Sequence, residues 1–416
     1  MKPRIAAMNR LQSLPSASPE QGAASQSLLA RIEDAIAQAG GWLPFDRYME
    51  LALYAPGLGY YAAAPGVLGA WGGSSDFVTA PELGPLFARA LARQVLQLAP
   101  AEALDTLVEF GAGSGRLACD LLLTLEASGW LPRQYAVVEV SAAMRARQQE
   151  AAAALPDHLR RRIVWWDALP AQFDAVVLGN EVLDAMPVKL LRRAAEGWRE
   201  RGVVSSGDAG QPLTFDDRPT VFAPPAAAQA LPEGSVTEIH PAAEAFVATL
   251  GRHLGRGALL FIDYGFPAHE YYHPQRTTGT LRCHRSHRAH DAPLWEPGLS
   301  DITAHVNFSG IAHAGIEAGL DLLGYTSQAR FLLNCGLLDA LSAAVAAVQD
   351  GVTGAPTNRH GLTLTAAVQR LLAESEMGEL FKVVALGRDC ATPLLGFSTG
   401  DRSATLVLRT EKARPC

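Results

Sequence analysis

Residues 109–115 read Glu-Phe-Gly-Ala-Gly-Ser-Gly, between an apolar run and a stretch of helical texture. An apolar strand that ends in an acid, turns on alternating glycines and enters a helix is suited to a nucleotide-type cofactor. Glycine has no Cβ, so Gly111, Gly113 and Gly115 permit a tight turn and let the backbone lie against a ligand. The helix that follows offers unpaired N–H groups and a partial positive charge. The dinucleotide fingerprint G-x-G-x-x-G asks for a glycine where this chain has Arg116, which argues against an NAD-dependent oxidoreductase. Glu139 closes a second apolar run, where a carboxylate can accept both hydroxyls of a ribose. Asp167 closes a third, where it would meet an adenine or, with equal weight, act as an ordinary turn aspartate. A second group lies in Gly179-Asn180-Glu181-Val182-Leu183-Asp184-Ala185-Met186-Pro187. Paired carboxylates at Glu181 and Asp184 can grip the planar fork of a guanidinium and help to accept its proton. The competing reading is that they cap a following helix.

Such groups must be brought together by a scaffold. Leu104–Phe110, Gln134–Val140, Arg162–Trp166, Phe173–Leu178 and Gly257–Ile262 read as strands, with helices over 115–128, up to about 154, and 241–253. Strands that alternate with helices predict a doubly wound, mostly parallel α/β sheet. In that arrangement Glu109, Glu139 and Asp167 end three strands in register, and the loop at 179–187 faces the same cleft. Residues 1–24 are rich in Ser, Ala and Pro and read as a flexible tail, with Pro3, Pro15 and Pro19 interrupting any helix. Leu28, Ile32 and Ile36 recur at helical spacing before Gly40-Gly41, and 42–75 reads as an ordered loop. Thr79-Ala80-Pro81-Glu82 has the form of a capping box for a helix carrying Phe87, Leu91, Val95 and Leu98. The segment 188–237 interrupts the alternation, 223–230 reads as a solvent loop, and 265–306 as a long polar, functional loop. A helix at 307–318, a strand near 321–325 and an apolar run at 381–386 complete the chain. The expected division is a tail (1–24), a helical N-terminal region (25–103), the core in two parts (104–264 and 307–416), and an inserted region (265–306).

The chain has 416 residues, 49% hydrophobic, with a formal net charge of -7. No basic excess points to nucleic acid. Five widely spaced cysteines suit a reducing compartment rather than a disulfide framework. No apolar run approaches the roughly 18–20 residues that span a bilayer. These features suggest a cytoplasmic protein. The Lys/Arg/Ser-containing first 19 residues leave a mitochondrial transit peptide, and so the matrix, as the minor alternative. Cys283-His284, His287 and His290 have spacing close to a zinc loop, but Arg282, Arg285 and Arg288 interleave with them, so no metal is expected. That basic loop suits contact with a protein substrate or a homodimer partner. Asp301, His305 and Asn307 are candidate polar groups for the acceptor.

An acid two residues before G-x-G-x-G resembles the first motif of Rossmann-like methyltransferases. Further blocks are similar to the MidA-like group, the mitochondrial complex I assembly-factor class of methyltransferases. They are YMELALYAPGLGYY (48–61), DFVTAPELGPLF (76–87), VEFGAGSGRLACDLL (108–122), VEVS (138–141), NEVLDAMPV (180–188), IDYG (262–265), GTLRCHRSHR (279–288), DITAHVNF (301–308) and MGELFKVV (377–384). The resemblance covers about residues 27–390 and suggests a bacterial member. It implies a class I methyltransferase fold of seven strands with a helical N-terminal region and an inserted subdomain. It also implies S-adenosyl-L-methionine as donor, S-adenosyl-L-homocysteine as product, and methylation of a protein arginine; in mitochondrial members the target is a complex I subunit. Gly111, Gly113, Gly115 and Glu139 match as donor contacts, with Glu109, Asp167 and Asn180 beside them. Glu181 and Asp184 match the acceptor loop, and Thr79 with Asp76-Phe77 a lid. Two other readings stand beside it: a small-molecule O- or C-methyltransferase, and an assembly chaperone that binds the donor without turnover.

Overall fold

In the computed structural model, which describes residues 14–63, 79–101, 103–208, 210–349, 357–390 and 393–407, the apolar runs become strands of one sheet. These are β1 (Thr106–Phe110), β2 (Gln134–Val138), β3 (Ile163–Trp166), β4 (Phe173–Asn180), β5 (Leu254–Phe266), β6 (Asp321–Ser327) and β7 (Phe381–Arg388). Their order is β6-β7-β5-β4-β1-β2-β3, and a two-residue strand, Val306–Asn307, adds an eighth beside β5. The first five run parallel; β7 is antiparallel to both β5 and β6. The chain leaves β1 toward β2 and β3, then returns to β4 on its other side. The carboxyl ends of β1 and β4 therefore flank a switch point, where open α/β sheets bind ligands.

Both faces of the sheet are covered, which is why β5 carries the unbroken apolar run Ala258–Ile262. Alternate residues sort to the two faces. Leu107, Val137, Val176 and Leu260 pack under the helices Pro85–Ala101 and Arg116–Ala127. Val108, Ala136, Val177 and Leu259 pack under Pro241–His253 and Phe308–Glu317. Each fully buried leucine contributes about 1.5–3 kcal/mol.

A separate sheet is built from Leu43–Pro44, Lys189–Ala194, Gly197–Asp208, Gln211–Pro219 and Val236–Ile239. Its Val188, Leu190 and Val203 share an apolar cluster with Leu28, Ile32, Phe45, Tyr48, Cys283 and Ile302. The N-terminal helices, the interruption at 188–237 and part of the polar stretch at 265–306 thus form one packed unit. That stretch also holds a three-stranded sheet of Arg282–Arg285, Arg288–His290 and Asp301–Thr303.

Several sequence expectations are corrected. Of the stretch 1–24 expected as a flexible tail, residues from Pro19 on belong to a helix spanning Pro19–Gln38, and residues 1–13 lie outside the described residues. Pro19 begins the helix at the first position, where its missing N–H costs nothing. Ser18 and Gln21 form a reciprocal capping box at 3.2 and 2.9 Å. Within the expected loop 42–75, Phe45–Tyr54 is a helix burying Phe45, Tyr48, Met49, Ala52 and Leu53. Thr79 does not cap a helix through its side chain; it precedes a single 3-10 turn, Ala80–Leu83. The presumed solvent loop at 223–230 ends in a 3-10 turn that buries Ala228. Among the described residues no single helix is long and apolar enough to cross a membrane.

Candidate active site

The glycine turn adopts the conformation its residues permit. Gly111, Gly113 and Gly115 have φ of 60°, 52° and 83°, the left-handed region that side chains disfavour. A Cβ on Gly111 would stand 3.0 Å from Val182, and one on Gly115 3.1 Å from Gln148. At Gly113 nothing among the described residues lies within 4 Å of that position. The first and third glycines allow close packing, and the second faces space that no described residue fills. Ser114 donates to the Glu82 carboxylate, so the 3-10 turn after Thr79 lies against the glycine turn. Asp76 and Phe77, the remainder of the expected lid, lie outside the described residues.

Glu109 is buried and accepts a hydrogen bond from the Tyr135 hydroxyl at 2.7 Å. Burial pushes its carboxyl up to about 7; the Tyr135 bond opposes this and Glu139 adds to it. Glu139 is half-buried at the end of β2. Its Oε1 accepts from the Ser141 N–H at 2.8 Å and its Oε2 from Gln148 Nε2 at 2.9 Å. Burial raises its carboxyl above the usual range. Asp167 stands apart: its side chain is 85% exposed and pairs with Arg145 at 2.7 Å. Nothing in its contacts ties it to the glycine turn.

Sequence reasoning missed Gln148. It is buried within the helix Ala142–Ala153 and joins three elements. Its Nε2 also donates to the Gly113 carbonyl at 3.2 Å, and its Oε1 accepts from Trp165 Nε1 at 3.0 Å. The available signal was a polar residue on the buried side of a helix, which must find partners.

The loop after β4 carries the second group. Glu181 has a φ of 54°, a conformation costing a non-glycine residue about 1–3 kcal/mol and concentrated at functional sites. Its N–H continues the sheet to the Ile262 carbonyl at 2.9 Å. The next three N–H groups, of Val182, Leu183 and Asp184, all point at Asp263 Oδ2, at 3.2, 2.9 and 3.2 Å. Asp263, at the end of β5, thereby shapes the loop; burial and the neighbouring Asp184 and Glu181 push its carboxyl up, and these N–H groups oppose them. Glu181 and Asp184 do not cap a helix; the capping alternative is corrected.

Glu181 accepts from Asn180 Nδ2 at 3.0 Å; this and the nearby Ala80 N–H oppose the rise of its pKa. Burial, then the Asp184 carboxyl, push Glu181 up to about 8. Burial pushes Asp184 up to about 6, against the nearby Tyr264 hydroxyl. Asn180 Oδ1 and Asp184 Oδ1 are buried with no partner among the described residues. Among the described residues neither Glu181 nor Asp184 forms an ion pair. Asp301 joins them: it accepts from the Tyr61 hydroxyl at 2.9 Å and acts electrostatically on Glu181. Tyr54 stacks on Tyr61 with ring centroids 5.6 Å apart and donates to the Ala185 carbonyl at 2.9 Å. The Tyr54 hydroxyl feels Asp301, Asp184 and Glu139 together, so it lies between the glycine-turn side and the acid cluster. The tyrosines of 48–61 were legible as a block and not as pocket walls. Asn307 is structural: its Oδ1 accepts from the Gly310 N–H at 3.4 Å and caps Phe308–Glu317. Among the described residues no group of three or more His, Cys, Asp and Glu is placed to hold a metal ion.

A sequence-family profile described as "Putative S-adenosyl-L-methionine-dependent methyltransferase" matches residues 86–326. The chain is 52% identical to a protein of Burkholderia thailandensis crystallised with S-adenosyl-homocysteine; the match has a TM-score of 0.86 and covers 94% of this chain and 100% of that one. A native crystal structure from the same organism gives 51% identity and a TM-score of 0.84 over the same shares. The mitochondrial protein arginine methyltransferase NDUFAF7 of Danio rerio is 30% identical over 343 residues, 75% of this chain and 77% of that protein.

Proposed function

Because this chain belongs to the MidA-like family of S-adenosyl-L-methionine-dependent methyltransferases, we propose that it methylates an arginine side chain of a protein substrate. One observation carries this reading. Glu181, Asp184 and Asp301 are gathered within electrostatic reach of one another, walled by Tyr54, Tyr61 and Tyr264. Buried carboxyls that raise one another's pKa are costly unless a cation joins them. A guanidinium is a planar cation matched to paired carboxylates and to aromatic walls. The zebrafish relative is named for the same activity.

The donor site fits S-adenosylmethionine. The turn leaves space at Gly113 that no described residue fills, and a carboxylate at Glu139 is held ready for ribose hydroxyls by Ser141 and Gln148. When bound, the donor supplies an electrophilic sulfonium methyl. The chain's own residues do the rest. Glu181 and Asp184 hold the guanidinium and fix which nitrogen faces the methyl; such positioning supplies much of the rate of a displacement. A carboxylate takes up the proton that the methylated nitrogen releases.

The test is methyl transfer from radiolabelled donor to arginine peptides and matched lysine peptides. Transfer to arginine alone, reduced at least tenfold in Glu181→Gln while donor binding persists, is the expected result. Equal transfer to lysine, or full activity in Glu181→Gln, would overturn the carboxylate clamp.

A further inference from the structure

Next to the acid cluster, basic side chains converge on one aromatic ring. Phe266 lies two residues beyond Tyr264 in β5, so both project from the same face of the strand. The Arg276 guanidinium carbon stands 4.6 Å from the Phe266 ring centroid. The His305 imidazole stacks on the same ring at 5.3 Å with planes 6° apart. The Lys382 ammonium is 6.0 Å from it. Tyr264 connects the two regions: its ring lies 5.0 Å from His305, and its hydroxyl and the Asp184 carboxyl act on each other electrostatically.

These groups are short of counterions. Among the described residues Arg276 and Lys382 form no ion pair. Arg276 Nε and His305 Nδ1 are buried with no hydrogen-bond partner among the described residues. The Lys382 ammonium donates to the Glu379 carbonyl. The carboxylates acting on it are Glu379, paired with Arg402 at 3.5 Å, and Glu270, which is exposed. Burial, reinforced by Arg276, Arg282 and Lys382, pushes His305 down to about 4, so it stands as a neutral imidazole beside two full cations.

We propose that Arg276, Lys382 and His305 form a subsite for a carboxylate of the protein substrate, so that the preferred acceptor is an arginine with an aspartate or glutamate close by. This rests on the arginine reading above. A cation directed to Glu181 and Asp184 and an anion directed to Arg276 and Lys382 would set the direction in which the substrate lies across Tyr264. Opposed charges of this kind specify register and exclude wrong partners. A guanidinium is suited to a bidentate carboxylate.

The experiment compares fluorescently labelled peptides with one central arginine and a single aspartate moved through the flanking positions. The reference is the same peptide with asparagine. Binding in the presence of S-adenosylhomocysteine is read by anisotropy, and methyl transfer is read in parallel. At one position or a narrow run of positions, the aspartate peptide should bind about tenfold more tightly than its asparagine partner, the size of one charge-assisted contact. Arg276→Gln and Lys382→Met should each shrink that ratio toward one, with S-adenosylhomocysteine affinity measured alongside as a check on folding. Equal binding of aspartate and asparagine peptides at every position, or an undiminished ratio in both variants, would overturn the subsite. Tighter binding of the aspartate peptide without methyl transfer would keep the subsite and remove arginine as the acceptor.

Discussion

Gln148 donates to the Glu139 carboxylate at 2.9 Å while it also holds the Gly113 carbonyl at 3.2 Å. A helix side chain thus sets both the glycine turn and Glu139, the acid proposed above for the ribose hydroxyls. Gln148→Leu keeps the volume and removes these bonds. We expect donor binding to weaken by about 1–3 kcal/mol, roughly tenfold for each 1.4 kcal/mol, with acceptor KM at saturating donor unchanged. Titration calorimetry against S-adenosylmethionine checks this, and an unchanged Kd would make Gln148 a packing residue only.

Gly113 combines a φ of 52° with space that no described residue fills where a Cβ would sit. Gly113→Val should abolish donor binding, because the side chain enters the space that the turn leaves for a ligand and its β-branch resists the left-handed backbone. Gly113→Ala should be intermediate. Retained donor affinity in the valine variant would place the donor elsewhere.

Glu181 and Asp184 stand at about 8 and about 6 in the substrate-free protein. A guanidinium binds their ionised forms, so binding must release protons wherever they are protonated beforehand. Acceptor kcat/KM should therefore rise with pH between about 6 and 8 and level off above. Glu181→Gln should lower kcat/KM by about 1.5–3 kcal/mol and remove the upper part of the rise. A pH profile that keeps its shape in that variant would assign the ionisation to another group.

The same shifts bear on stability, with the opposite sense. Glu109, Asp184 and Glu181 are raised in the fold to about 7, 6 and 8. The folded chain then binds more protons than the unfolded chain above the ordinary carboxyl range, and stability falls as pH rises through these values. Burial pushes His240, His284, His290 and His305 down to about 4, and below about 6.5 these act in the opposite sense. The melting temperature of the substrate-free protein should therefore decline between about pH 7 and 8. Glu109→Gln should flatten part of that decline. Scanning calorimetry across this range would show it, and a melting temperature rising with pH would contradict the burial of these groups in protonated form.

Much of the sheet was readable from the chain, because parallel strands buried on both faces appear as short apolar runs between helices. The strands at 106–110, 134–138, 163–166 and 173–180 fall where those runs do. Other segments resisted. The helix Phe45–Tyr54 sits among glycines, prolines and tyrosines that read as loop. Its Phe45 and Tyr48 are held by Val188 and Val203, more than a hundred residues away. Asp263 showed only as part of the block IDYG (262–265), yet it receives the N–H groups of Val182, Leu183 and Asp184.

By itself the sequence determined the left-handed glycine turn after β1, the acids that close β1 and β2, and the carboxylates of the loop after β4. Local chemistry dictates these: a glycine at positive φ and a polar residue ending an apolar run have few alternatives. Only the tertiary structure decided which acids act together. It set Asp167 on the surface with Arg145 and joined Asp301 to Glu181 and Asp184. It also put Gln148 behind Glu139 and Tyr54 between the two halves of the site. Spacing along the chain cannot encode those choices, because burial and mutual charge depend on distances that only packing fixes.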